Sequence, residues 1–147
     1  MTAVLYILMR NDLNSMNSGK AIAQGSHAAN AFVQHFHGFA QEYNSKSKHS
    51  HLETETMKSF NEWEYSTGQG FGTVLVLEAN MSSIYSVVNS FKGLQYISGV
   101  IHDPTYPIVD GDIVHHIPLD TCAYVFVPNK ETDQLASSIL KQFPLHR

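Results

Sequence analysis

Ala3 to Met9, AVLYILM, is one continuous apolar run. A run without polar alternation suits a strand buried on both faces, so the chain has to supply covering layers on each side of a sheet. The run has no basic residues ahead of it and passes straight into a polar loop, which reads as a strand and not as a signal peptide. No apolar stretch approaches the roughly 20 residues of a membrane span, so no membrane partner is expected.

Asn14, Ser15, Asn17, Ser18 and Gly19 are loop formers, and Ser18 is the expected N-cap of a helix beginning near Gly19 or Lys20. Ile22, Ala29, Val33, Phe36, Ala40 and Tyr43 recur at helical spacing and are expected to face the core. The polar segment NSKSKHS after Tyr43 should end the helix. Lys20, Gln24 and His27 form a separate polar stripe over the first two turns. A cation, an amide and an imidazole beside a helix N-terminus suit a phosphate or a polarised carbonyl oxygen. The same stripe also fits a solvated helix face.

Further along, Leu52 to Tyr65 reads as a helix with Leu52, Met57, Phe60 and Trp63 inward, and GQGFG as a flexible turn. Thr73 to Glu78 is a second buried strand. Ser82 to Phe91 is a short helix presenting Ile84, Val87, Val88 and Phe91. Tyr96 to Ile101 is a third strand, Pro107 to Pro118 a hairpin turning at Asp110-Gly111, and Thr121 to Val127 a fourth strand. Thr132 to Phe143 closes the chain as a helix with Leu135, Ile139 and Leu140 inward. The order β-α-α-β-α-β-β-α predicts an α/β three-layer sandwich, a four-stranded mixed sheet flanked by helices, in a single domain over residues 1–147.

A formal net charge of −4 weighs against nucleic-acid binding that neutralises many phosphates, but it leaves room for a local basic pocket. Arg10, Lys20, Lys46, Lys48 and Lys58 all fall in the first half. Cys122 is the only cysteine, which excludes an internal disulfide and suits a buried thiol in a reducing, cytoplasmic setting. His35, His37, His49 and His51 are spaced by two, which does not put a pair on one helix face, and no thiolate or carboxylate set accompanies them. No metal and no other cofactor is expected.

The run DLNSMNSGKAIAQGSHAA resembles the signature of the peptidyl-tRNA hydrolase 2 family, roughly R-x-D-L-x-M-x-x-G-K-x-A-A-Q-x-x-H-A. Arg10, Asp12, Leu13, Met16, Gly19, Lys20, Ala23, Gln24, His27 and Ala28 match, and Ile22 replaces one alanine. The resemblance implies a four-stranded mixed sheet covered by helices, a homodimer, and metal-free cleavage of the ester that joins a peptide to the 3′ end of tRNA. It further implies that Lys20 holds phosphate or steadies the oxyanion, that Gln24 and His27 position the terminal nucleotide, and that Asp103 orients or deprotonates water. Arg10, Asp12 and Gly19 join Gln24 as implied substrate-binding positions.

The family's second motif, roughly D-A-G-x-T-Q-I-x-P-G-S-x-T, corresponds here to HDPTYPIVDGDIVHHIPLDT. Asp103 matches the family aspartate if one residue is deleted. Aligned without a gap from the turn, that position falls on His102 and the first threonine on Tyr106, which can donate a hydrogen bond in its place. His115 and His116 lie in added sequence at adjacent strand positions, so only one can face a given site. His102 and His146 carry no signal beyond their type.

A second reading follows from these departures. His27 with one of His115 and His116, together with Tyr106 and Lys20, could supply the base, acid and cation needed to cleave a small nucleotide, cyclic or linear, without metal. A viral phosphodiesterase that removes a host nucleotide signal, or a protein that only sequesters one, would fit. The alternative for His115 and His116 is that both are exposed hairpin residues.

Overall fold

The computed structural model describes residues 3–147. In chain order the elements are β1 (Val4–Arg10), α1 (Ser18–Ser45), α2 (His51–Tyr65), β2 (Val74–Ala79), α3 (Met81–Gly93), β3 (Ser98–Asp110), β4 (Ile113–Val127) and α4 (Gln134–Leu140). The strands form one sheet in the order β2-β1-β4-β3. β1 runs parallel to β2 and antiparallel to β4, and β3 pairs antiparallel with β4. This is the mixed four-stranded sandwich that the element order predicts.

The apolar run of β1 is buried on both sides. Leu5, Ile7 and Met9 pack with Phe32 and Phe36 of α1 and with Phe60 and Trp63 of α2. Val4, Tyr6 and Leu8 pack with Ile84, Val88 and Phe91 of α3 and with Leu140 of α4. Each such side chain contributes about 1.5–3 kcal/mol through removal from water, which is why two helical layers are needed to hold one sheet.

Helix α1 departs from expectation at its first turns. Its N-cap is Asn17, one residue before Ser18, and the Asn17 side chain accepts from the Lys20 amide. The buried line is Ala21, Gln24, Ala28, Phe32 and Phe36, whereas Ile22 is 71% exposed. The helix therefore turns its small residues and a glutamine toward the sheet. Polarity counts placed Ile22 inward because they could not foresee a partner for Gln24.

The other helices start as their capping residues dictate. Ser50 and Glu53 form a reciprocal capping box on α2, and Asn80 caps α3. In α4, Leu135 is exposed while Ala136 and Leu140 are buried, which reverses the expected inward position of Leu135.

The separate third strand, hairpin and fourth strand merge into two long strands joined at Gly111 and Asp112, with Gly111 at φ 59° as a tight hairpin turn requires. Pro104 and Pro107 do not break β3 because it is an edge strand, with a side that needs no ladder donors.

Candidate functional site

Two register shifts in the β3–β4 ladder organise the site. Ile101 pairs with Cys122 but His102 pairs with Asp120, which leaves Thr121 as an extra residue on β4. Asp103 then pairs with Leu119 and Tyr106 with Ile117, which leaves an extra residue on β3 at Pro104-Thr105. Such bulges re-aim side chains that strict alternation would send elsewhere.

The first shift lets Thr121 and Cys122, neighbours in sequence, both reach α1. Thr121 Oγ1 donates to Gln24 Oε1 at 2.7 Å, and Cys122 Sγ approaches the Gln24 carbonyl at 3.5 Å. Gln24 Nε2 in turn donates to Asp103 Oδ2 at 2.7 Å. The second shift folds Thr105 back on Asp103, whose Oδ1 accepts the Thr105 amide at 2.9 Å and its hydroxyl at 3.3 Å. Burial raises the Asp103 pKa, but the donors from Gln24 and Thr105 outweigh it and hold the carboxyl below its ordinary value. Burial pushes the Cys122 thiol up to about 12, so it is an inert core group.

Gln24 is only 2% exposed and its amide is fully engaged. A direct contact with a nucleotide, expected from the polar stripe, is therefore not open to it. Its geometry fits holding Asp103. Thr121, which no sequence signal marked, completes this chain of bonds.

Lys20 Nζ donates to the Pro107 carbonyl at 2.7 Å and sits 5.1 Å from the centre of the Tyr106 ring. Tyr106 is 0% exposed, with its hydroxyl 3.1 Å from Ser15 Oγ. A hydrogen bond from Tyr106 to substrate is closed off by that burial; the ring supports Lys20 from beneath. Two turns further along α1 from Lys20, His27 borders an open cleft of about 410 Å³ with Ala31, His102, Asp103 and Thr105.

Arg10, Asp12 and Gly19 have structural surroundings. Arg10 Nε donates to Asp12 Oδ1 at 2.8 Å and its Nη1 to the Asp120 carbonyl at 2.9 Å. Asp12 Oδ2 accepts the Met81 amide at the start of α3. These bonds tie β1 to β4 and α3. Gly19 stands in the first turn of α1, where an added Cβ would meet Asn17 Oδ1 at an ordinary 3.5 Å.

His115 and His116 are both exposed on the ribbon that β3 and β4 form beyond the sheet. The pairing puts His115, opposite Ile108, on the face of Tyr106, and His116, opposite Pro107, on the other face. His115 Nε2 lies 3.5 Å from Asp110 Oδ2, and His116 Nδ1 lies 3.1 Å from the Thr105 carbonyl. Neither bonds to Lys20 or His27. Among the described residues no group of three His, Cys, Asp or Glu side chains stands close enough to hold a metal ion, and no helix is long and apolar enough to cross a membrane.

The convergence of Lys20, Gln24, His27 and Asp103 joins the first motif to the surviving aspartate of the second. The family profile of peptidyl-tRNA hydrolase PTH2 matches residues 3–137, which takes in all of these positions and both long strands. Among curated proteins the chain has no match. The match over most of its length shows that the chain belongs to the peptidyl-tRNA hydrolase 2 family.

Proposed function

We propose that the protein hydrolyses the ester between a peptide and the 3′ end of tRNA without a metal ion. The observation that carries this reading is the Gln24–Asp103–Thr105 arrangement beside the cleft bordered by His27. It supplies a fixed negative oxygen at which a water can be oriented, and Lys20 supplies a cation near the start of the same helix. Lys20 spends one of its three donors on the Pro107 carbonyl, which leaves two for a phosphate or a developing oxyanion. His27 contacts the terminal nucleotide. The net charge of −4 confines recognition to the 3′ end, so rate should depend only weakly on salt.

The test is release of N-acetyl-leucine from N-acetyl-leucyl-tRNA in excess EDTA. Lys20→Ala should lose about 10²–10³ in rate while keeping a cooperative melt. Release no faster than the uncatalysed ester would overturn the reading. Parallel incubation with cyclic and linear nucleotides addresses the phosphodiesterase alternative, which needs His115 or His116 beside Lys20 and His27; no contact of either histidine favours it.

A further inference from the structure

The cleft beside Asp103 is bordered by a continuous stretch of β3, from Val100 to Thr105, and by His27 and Ala31 of α1. Along that stretch the side chains alternate in direction. Ile101 packs in the core under α1, and Asp103 bonds to Gln24 of α1. Val100 packs toward α3, and His102 bonds to Asp120, which also takes the Tyr85 hydroxyl of α3. A cleft bordered by residues from both faces of a strand runs along the edge of that strand. β3 is the outermost strand of the sheet, and among the described residues β4 is its only ladder partner. The cleft therefore lies over an unpaired row of backbone donors and acceptors.

Strand register identifies which backbone groups face outward. The Phe126 amide donates to the Ile97 carbonyl at 3.0 Å. In the regular antiparallel stretch that follows, from Ser98 opposite Val125 to Ile101 opposite Cys122, the residues that bond β4 are then Gly99 and Ile101. Val100 turns its N–H and C=O the other way, to the open edge where it borders the cleft. Pro104, at the second register shift, has no N–H to give. From Val100 to Asp103 is three steps of extended chain, about 10 Å.

Charge is ordered along the same line. Lys20 of α1 meets β3 at Pro107, Gln24 meets it at Asp103, and Ala31 borders the cleft with Val100. The cation stands at one end and the carboxylate in the middle. The far end, at Val100, Ile101 and Ala31, is apolar. A phosphate suits the Lys20 end, and an uncharged peptide suits the other. We infer that the peptide part of the substrate binds at that far end as an added strand on β3, with its backbone bonded to the N–H and C=O of Val100. The inference rests on the hydrolase reading. The paired stretch covers about three peptide residues, from the ester at Asp103 to Val100. Main-chain bonds supply the affinity, so the pairing admits peptides of many sequences.

The experiment compares kcat/KM of the full chain on N-acetyl-leucyl-tRNA with kcat/KM on esters whose peptide is lengthened by one to four alanines. The ratio should rise about tenfold over the first two alanines, the worth of two main-chain hydrogen bonds, and then level off. In the longer esters a methyl group on one amide nitrogen should remove the gain and a methyl group on the next should not, because successive N–H groups of an added strand face opposite ways. Val100→Pro deletes the outward N–H without touching the ladder to β4 and should cut the ratio by about threefold or more, whereas Val100→Ala should keep it. A thermal melt on each variant separates misfolding from lost pairing, and the methylated esters on the parent protein decide the matter should the proline variant fail to fold. A ratio that does not rise with length, methyl groups that act alike at every position, or a folded Val100→Pro with the parent's ratio overturns the pairing, while activity on N-acetyl-leucyl-tRNA keeps the hydrolase reading. A parent protein inactive on every ester overturns both.

Discussion

Asp103 and Asp120 stand at the same level of the β3–β4 ribbon, one facing α1 and the other facing α3, and both carboxyls are held below their ordinary pKa. Their donors differ. Asp103 is held low mainly by an amide, a backbone N–H and a hydroxyl, with the charge of His27 as a smaller contribution. Asp120 is held low first by Tyr85, then by His102 and the charge of Arg10, against the opposing effect of burial. One carboxylate is held by donors from α1 and its own strand, and the other is hydrogen-bonded to an exposed imidazole.

Asp103→Asn should produce the largest effect on that contrast. It removes the fixed charge while keeping the size of the side chain. The expected loss is about 10²–10³ in kcat, near 2.7–4 kcal/mol, the usual worth of one preorganised electrostatic group. A rate within about tenfold of the parent in Asp103→Asn would show that Asp103 does not orient the attacking water.

Gln24→Ala should come next, and its effect is on stability. The substitution leaves Asp103 Oδ2 and the Thr121 hydroxyl without their partners beneath α1. Each buried polar group left unmet costs about 1–3 kcal/mol, and water reaching Asp103 from the cleft offsets part of this, so a loss of about 2–4 kcal/mol is expected in denaturant unfolding. Thr121→Val should cost less, since it strands only the Gln24 carbonyl oxygen. An unfolding midpoint unchanged in Gln24→Ala would mean that the chain of bonds does not hold Asp103 in place.

Much of the fold was legible in the sequence, and the reasons are local. The unbroken run of β1 required two covering layers, and helical spacing put Phe60 and Trp63 on the buried face of α2. Lys20 and Gln24 could be singled out because motif spacing survives on one helix. The burial of Gln24 was not legible, because a glutamine becomes a core residue only when Asp103 and Thr121, 79 and 97 positions away, arrive to bond it. Thr121 and the pair of His102 with Asp120 were hidden for a related reason. They depend on a shift of one residue in strand register, and pattern reading assumes strict alternation.

The smallest effects are expected on the ribbon beyond Tyr106, and they test whether the chemistry stops at the cleft. His115 and His116 are exposed, and their polar partners are Asp110 near the turn and the Thr105 carbonyl. Exposed pairs of this kind are worth little, because water and salt compete for both members. His115→Ala and His116→Ala should each change stability by no more than about 0.5 kcal/mol. Each should also leave kcat as it is in the parent protein, because the polar partners of both histidines lie on the ribbon and not at Lys20, His27 or Asp103. His115 is the sharper of the two tests, since the pairing puts it on the face of Tyr106, beneath Lys20. A loss of about 10² or more in His115→Ala alone would extend the site along that face and bring proton transfer to the ribbon.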